Sequence, residues 1–110
     1  MSLYMAQVGY TAEHLSALTK NPEDRTERVR GLTEKLGGRL LGFYYSLGEY
    51  DAVALIEAPD EKTVTAFILA ALGGGHIRAS KTTTLLSTSD AVEAMRRAGG
   101  ASFTPTGGGR

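Results

Sequence analysis

The sequence contains no cysteine, and neither sign of charge is in excess. Without cysteine the chain can form neither a disulfide framework nor a thiolate metal site, so we expect the reducing cytosol as its compartment. Lysine plus arginine and aspartate plus glutamate both number 12, which gives a formal net charge of zero. Because nucleic-acid-binding domains usually carry a basic excess or stripe, we expect no nucleic-acid partner.

Long apolar runs are also absent from the sequence. No stretch approaches the roughly 18 apolar residues that a membrane-spanning helix needs, so we expect no membrane partner. The segment Met1 to Met5 lacks the charged n-region and long h-region of a signal peptide. With 110 residues, 42% apolar and 22% charged, the composition is typical of one small globular domain.

The first half of the sequence predicts a strand and then two helical segments. Leu3 to Tyr10 mixes apolar and aromatic residues and favours a strand. Thr11 is a suitable N-cap for a short helical turn. Asn21, followed by Pro22 and two carboxylates, predicts the start of a longer helix. The apolar stripe of that helix and its end are marked by Val29, Leu32, Leu36 and the pair Gly37-Gly38.

The second half predicts a hairpin, a helix and a last strand. Arg39 to Leu47 and Ala52 to Ala58 favour two antiparallel strands, joined by the turn Gly48-Glu49-Tyr50-Asp51. A helix is predicted over Glu61 to Leu72, and it is followed by a strand over Ile77 to Ser87. A short terminal helix through Ala91, Val92 and Met95 completes the predicted elements.

This order of elements predicts an α+β fold of the ferredoxin-like β-α-β-β-α-β type, an antiparallel sheet with its helices on one face. We assign residues 1–97 to that domain and residues 98–110 to a flexible Gly-rich tail.

Apolar residues are predicted on both faces of the sheet. Side chains alternate along a strand. In the strand from Ala52 to Ala58, one face carries Ala52, Ala54 and Ile56 and the other carries Val53 and Leu55. In the strand from Arg39 to Leu47, one face carries Leu41, Phe43, Tyr45 and Leu47 and the other carries Leu40 and Tyr44. Since the helices cover one face only, the second would expose an apolar patch of the kind that usually marks an interface. We therefore expect a homo-oligomer, in which a second copy of the sheet packs face to face with the first.

Several motifs resemble the GYD family, a group of small bacterial and archaeal domains. The central motif is Leu47-Gly48-Glu49-Tyr50-Asp51-Ala52-Val53, followed by Glu57-Ala58-Pro59-Asp60. Similar residues stand at Val8-Gly9-Tyr10-Thr11, at Leu36-Gly37-Gly38 and at Lys81-Thr82-Thr83-Thr84-Leu85. The resemblance covers about residues 3 to 97 and does not explain the tail after Ala98.

The resemblance implies a ferredoxin-like domain of the dimeric α+β barrel type. It implies no defined activity, because the family is mostly described as of unknown function. A more distant likeness is to the effector-binding domain of Lrp/AsnC-type regulators, which also place a Gly-x-Tyr-Asp turn before the third strand. The chain has no helix-turn-helix portion, so that likeness implies a stand-alone ligand-binding module.

The Gly48-Glu49-Tyr50-Asp51 turn has a structural and a functional interpretation. Gly48 can adopt a positive φ, Asp51 can accept a backbone N–H bond, and Tyr50 can bury its ring, which together explain a turn. Alternatively, Tyr50 and Asp51 lie at the mouth of a pocket between sheet and helices, where they would orient a small ligand or move a proton.

Other candidate ligand-binding residues are Tyr44, Glu57, His76 and Arg78. His76 and Arg78 could bind an anion beside the flexible run Gly73-Gly74-Gly75, although a solvated loop is the alternative. Glu57 stands in an apolar strand and needs a partner, for which Arg39, Lys81 and Tyr44 are candidates. His14 is expected to be a surface or partly buried residue of the first helix. With two histidines and no cysteine, we expect no metal and no cofactor.

Three functions remain open at this point. The first is a homo-oligomeric small-ligand-binding or assembly module, which predicts a pocket at the dimer interface and no matched acid–base pair. The second is a small cofactor-free enzyme of the dimeric α+β barrel type, monooxygenase- or isomerase-like, which needs a convergent set of polar groups. The third is a purely structural protein with a filled interior. A cavity of roughly 300 Å³ or more between the two sheets of the oligomer, with polar groups converging in it, distinguishes the first two from the third.

Overall fold

The structure is a computed structural model, and it describes residues 1–101. It contains four strands and four helices. In chain order these are β1 (Ser2–Tyr10), α1 (Ala12–Lys20), α2 (Thr26–Lys35), β2 (Arg39–Tyr45), β3 (Ala52–Ala58), α3 (Glu61–Leu72), β4 (Ile77–Leu85) and α4 (Thr88–Ala101). The strands form one antiparallel sheet in the order β2-β3-β1-β4, which confirms the predicted α+β ferredoxin-like fold.

The core lies between one face of the sheet and the helices. The side chains buried there alternate along the strands, as they must when only one face is covered. They are Tyr4, Ala6, Leu40, Ala54, Ile56, Ala58, Val64 and Phe67. Burial of Val64 and Phe67 on α3 contributes about 1.5–3 kcal/mol each, and this fixes α3 against β3.

Helix α3 begins where its capping residue predicts. The Asp60 carboxylate accepts hydrogen bonds from the Thr63 N–H at 3.0 Å and from the Thr63 hydroxyl at 2.9 Å. These contacts occupy one N–H of the first turn that has no partner within the helix. The same bonds lower the pKa of Asp60.

The prediction that Asn21 caps the second helix is wrong. Helix α1 runs through nine residues to Lys20, and the Asn21 N–H donates to the Ala17 carbonyl at 2.9 Å, so Asn21 ends α1. Helix α2 begins at Thr26, after the Asp24 carboxylate has accepted bonds from the Thr26 N–H and hydroxyl at 2.9 and 2.6 Å. Asp24 thus supplies the local turn that Asn21 was expected to provide.

The predicted alternation along β2 is also wrong in part. A bulge between Leu40 and Gly42 inserts one residue, so that Leu40 pairs with Ile56 and Phe43 pairs with Ala54. Leu40 and Phe43 therefore share the helix-covered face, although odd and even positions should oppose each other.

Helix α4 differs from the expected short helix and tail. It continues to Ala101, so residues 98–101 of the predicted tail are helical, and the rest of that tail lies outside the described residues. No residue of α4 is buried. Among residues 1–101, no helix is long and apolar enough to cross a bilayer.

Candidate functional site

A cavity of about 250 Å³ lies between the helix-covered face of the sheet and helices α1 to α3. Most of its wall is apolar. The lining residues are Ala6, Val8, Tyr10, His14, Arg25, Arg28, Val29, Leu32, Phe43, Ala52, Ala54, Phe67, Ala70, Ala71, Gly74, His76 and Ile77. An apolar cavity of about 150 Å³ accommodates benzene in another protein, so this one has room for a slightly larger molecule.

Small side chains explain why this part of the interior is hollow. Ala52 and Ala54 on β3 lie opposite Ala6 and Val8 of β1 in the paired register, and all of these positions line the cavity. Helix α3 adds Ala70 to the same wall. Larger apolar residues here would fill the space, and a retained cavity costs stability by forgoing their contacts.

Thr11 positions two histidines on the polar side of the cavity. Its hydroxyl accepts a hydrogen bond from the His14 N–H at 3.1 Å and so caps α1. Its own N–H donates to the His76 carbonyl at 2.9 Å, which ties the residue before β4 to the end of β1. One residue therefore places both imidazoles at the same wall of the cavity.

The two imidazoles stack, and a tyrosine ring packs against one of them. The ring centroids of His14 and His76 are 4.4 Å apart with an interplanar angle of 17°. The Tyr10 ring meets His14 edge-on at 4.7 Å and 71°. His14 is only 7% exposed, whereas His76 is exposed.

The environment shifts the pKa of two groups in this cluster. Burial is the main cause that lowers the pKa of His14 from 6.5, and His76 and Arg25 add to it, while Glu23 opposes them. His14 is therefore mostly neutral at pH 7. Burial also raises the pKa of Tyr10, with further contributions from Tyr45 and Asp51 and opposition from Arg25. Tyr10 therefore keeps its proton at pH 7.

Two arginines reach the cavity from the start of α2 and the residue before it. Arg25 is bound to Glu23 at 3.1 Å, and its side chain is 25% exposed. Arg28 lies 3.7 Å from the same carboxylate and is 68% exposed. Both arginines line the cavity, whereas Glu23 does not.

Asp51 holds the central turn to the end of β1. Its carboxylate Oδ2 accepts a hydrogen bond from the Tyr10 N–H at 2.8 Å, and its own N–H donates to the Val8 carbonyl at 2.8 Å. Its carbonyl accepts from the Ser46 N–H at 2.8 Å, which closes the hairpin. Asp51 therefore joins the ends of three strands, and it accepts a backbone N–H bond as the structural interpretation of the turn expected.

Gly48 and Arg78 complete that turn. Gly48 has a φ of +134°, a value that L side chains rarely adopt. The Arg78 guanidinium donates to the Glu49 carbonyl at 2.9 Å and lies 3.8 Å from the Asp51 carboxylate. It also covers Gly9, where an added Cβ would come within 2.7 Å of it. These contacts place Arg78 on the sheet face that the helices leave open.

The six residues predicted for a ligand site do not converge. His76 lines the cavity, but the other five do not. Tyr44 is 58% exposed and pairs with Val53 on the open face. Glu57 is bound to Arg39 at 3.0 Å on that face. The Tyr50 carbonyl accepts a bond from the Ser46 hydroxyl at 2.8 Å.

Sequence reasoning missed Tyr10, His14 and Arg25 as cavity residues. His14 was expected to be a surface or partly buried helix residue, yet only 7% of it is exposed, because Thr11 starts α1 directly at the end of β1. The capping pattern, with His14 three residues after Thr11, was the signal that could have located it. Among residues 1–101, no group of three or more histidine and carboxylate side chains is arranged to hold a metal ion.

Residues 4–95 match the GYD domain family. The chain belongs to this family. The match includes the Gly48–Asp51 turn, the two cavity histidines and all four strands in whole or in part. No curated protein is significantly similar to this chain.

Two crystal structures share the fold of this GYD domain at low sequence identity. TTHA0845 from Thermus thermophilus is 15% identical with a TM-score of 0.53, and the match covers 79% of this chain and 95% of that one. MtbAldR is 16% identical with a TM-score of 0.52, and the match covers 78% of this chain. The matched part is 52% of MtbAldR, so this chain spans about half the length of that protein. At such identities the likeness extends to the fold alone.

Proposed function

We propose that this GYD domain is a small-molecule-binding module and that the cavity between its sheet and helices is the ligand site. The observation that carries the proposal is the composition of the cavity wall. An apolar lining meets a cluster of polar side chains from β1, α1 and the residue before β4, namely Tyr10, His14 and His76. Small-molecule sites have this character, a mostly apolar concavity with a few placed polar groups.

This cavity lies within one chain and is not the pocket between two sheets, which stays a prediction. The size of the cavity limits any ligand to a small molecule. Its 250 Å³ is slightly below the roughly 300 Å³ at which typical ligand pockets begin. Its alanine lining forgoes packing energy that larger residues would supply at no change of fold. A binding role accounts for that loss, whereas a purely structural role would favour a filled interior.

Native mass spectrometry of protein purified from its own host tests the proposal. We expect a retained small molecule on the wild-type chain and none on Ala71→Leu, in which the added side chain enters the cavity from α3. Ala94→Leu is the matched control. It adds the same side-chain volume, but Ala94 is exposed on α4. Ligand on all three proteins, or on none, would contradict the cavity as the site.

We also propose that the module is a homodimer formed through the open sheet face. The centre of this face carries Met5, which pairs with Leu55 of β3 and with Thr83 of β4. Leu3 and Leu85 form the neighbouring pair, and all four apolar side chains are only half-buried. A second copy would cover this patch and contribute about 25 cal/mol for each Å² of apolar surface removed from water.

Helix α4 supports the same proposal. Its 14 residues bury no side chain, and Val92 and Met95 are 41% and 68% exposed. An isolated helix shorter than about 12–15 residues is marginal in water, and most helices are held by packing of an apolar face. A second copy of the chain would supply such a surface for α4.

Light scattering coupled to gel filtration tests the dimer at micromolar concentration. We expect twice the chain mass for the wild type and the single-chain mass for Leu55→Glu, which places a carboxylate at the centre of the open face. Thr65→Glu is the control, because Thr65 is exposed on α3, away from that face. A monomeric wild type would refute the dimer.

A cofactor-free acid–base enzyme is the second candidate function, favoured by one observation. His14 is an almost fully buried imidazole, and its lowered pKa leaves it free to accept a proton inside the cavity. If the domain is an enzyme, a retained ligand incubated with fresh protein should be converted, and His14→Gln should bind it without conversion. Quantitative recovery of the unchanged ligand would refute the enzyme and retain the binding module as the function.

We place the module in the cytosol, where a chain without cysteine gives up no disulfide stabilisation. Imaging of a fluorescently tagged chain in its host tests this location, and exclusion of the signal from the cytosol would contradict it.

A further inference from the structure

We propose that the ligand of this cavity is a small organic anion, a monocarboxylate with an apolar body. This inference rests on the proposed function and assigns the chemical class of the ligand. The observation behind it is the sign of charge around the cavity. Among the lining residues within 1–101, four side chains can carry positive charge and none is aspartate or glutamate; the four are His14, Arg25, Arg28 and His76.

The balance of charge remains positive when the neighbouring carboxylate is included. Glu23 contacts both Arg25 and Arg28 from outside the cavity, so it offsets one of two guanidinium charges. Asp51 accepts the Tyr10 N–H and lies 3.8 Å from the Arg78 guanidinium. Neither carboxylate lines the cavity, and one arginine charge is left for a ligand.

The histidine pair adds hydrogen-bond donors without adding a fixed second charge. Two stacked imidazoles at 4.4 Å disfavour double protonation, because the second charge would be added beside the first. A neutral imidazole still donates one N–H, and a protonated one donates two. The exposed His76 and the buried His14 can therefore each present an N–H to an anion.

The rest of the wall requires an apolar body on the same ligand. The carboxylate end would face the polar cluster, and the other end would lie against Phe43, Phe67 and Leu32 and the alanines. A small anion such as acetate, which has only a methyl group beside its carboxylate, would leave most of that surface unfilled. A neutral apolar molecule would make no contact with the arginine charge that Glu23 does not offset.

Isothermal titration calorimetry with matched probes tests the ligand class. Benzoate and benzamide have the same shape, but only benzoate carries a charge. We expect benzoate to bind at least about tenfold more tightly than benzamide, and acetate to bind more weakly than benzoate. We expect Arg25→Gln to weaken the affinity for benzoate by about tenfold, a factor that corresponds to one charge-assisted contact. The affinity for benzamide should stay unchanged.

One control variant and one alternative variant accompany Arg25→Gln. Arg96→Gln makes the same substitution on α4, away from the cavity, and should bind benzoate as the wild type does. If Arg25→Gln fails to fold by circular dichroism, Arg28→Gln tests the same charge from a more exposed position.

The outcomes separate this inference from the proposed function. Equal affinity for benzoate and benzamide would overturn the anionic ligand and leave the binding module intact. Loss of benzamide binding in Arg25→Gln would equally count against a specific charge contact. If no probe binds and native mass spectrometry finds no retained ligand, the proposed function fails and the ligand class fails with it.

Discussion

Replacement of Asp51 by alanine tests whether the central turn is a structural lock. The change removes the acceptor of the Tyr10 N–H, a bond of 2.8 Å to a residue that is 8% exposed. Because the donor stays buried, the loss should be that of a charged hydrogen bond, about 1.5–3 kcal/mol of unfolding free energy. The Arg78 contact at 3.8 Å adds little, since that side chain is half exposed.

Asp51→Asn should cost less than Asp51→Ala. An amide oxygen still accepts the Tyr10 N–H, but a neutral bond is about half as strong, so we expect a loss of about 1 kcal/mol. Urea unfolding followed by circular dichroism measures both values. All variants should be compared at one protein concentration, because association would make stability concentration-dependent.

Glu49→Ala is the matched control for this experiment. Glu49 lies in the same turn, but its side chain is exposed and only its carbonyl contacts Arg78. We expect a change within about 0.5 kcal/mol, as for most surface substitutions. If Asp51→Ala is as mild as Glu49→Ala, the turn does not depend on the Asp51 carboxylate, and the structural account of the motif is refuted.

Two further predictions concern backbone conformation and pH. Gly48→Ala should destabilise the fold by at least about 1 kcal/mol, because Gly48 has a positive φ. Gly31→Ala in α2, which also has open space around it, should stabilise the fold by about 0.5–1 kcal/mol. Shifts of the urea unfolding midpoint in the same direction for both variants would contradict this. The lowered pKa of His14, which faces Tyr10, His76, Arg25 and Glu23, means that the unfolded chain binds its proton first. Stability should therefore fall as the pH drops from 6.5 through the folded pKa, and His14→Gln should flatten that dependence. An NMR midpoint for His14 at or above 6.5 would contradict the burial argument.

The parts of the fold that sequence reasoning located correctly are those set by local chemistry. The bounds of β3 and α3 follow from the alternation of Ala52 to Ala58 and from the Asp60 cap. The start of the second helix was predicted wrongly because Asn21 and Asp24 can both bond to the backbone at a helix start. Which of the two does so depends on how the loop packs. The bulge in β2 depends on pairing with β3, which no pattern within Arg39 to Leu47 reveals.

The candidate site was harder to predict than the fold. The cavity exists because alanine side chains on two strands and a helix are too small to fill the space between them. An alanine in a sequence does not by itself indicate a void. His14 and His76 are far apart in the chain and meet only because Thr11 bonds to both segments. Asp51 was expected to hold the turn and does so, but its contacts with Tyr10 and Arg78 fix the backbone and do not face the cavity.

A crystal structure of the chain with benzoate tests the central claim most directly. We expect the carboxylate within hydrogen-bond distance of His76 or Arg25 and the ring against Ala52 and Ala54 in the cavity. Benzoate bound only on the open sheet face, or a cavity that collapses or stays free of benzoate at saturating concentration, would contradict the account.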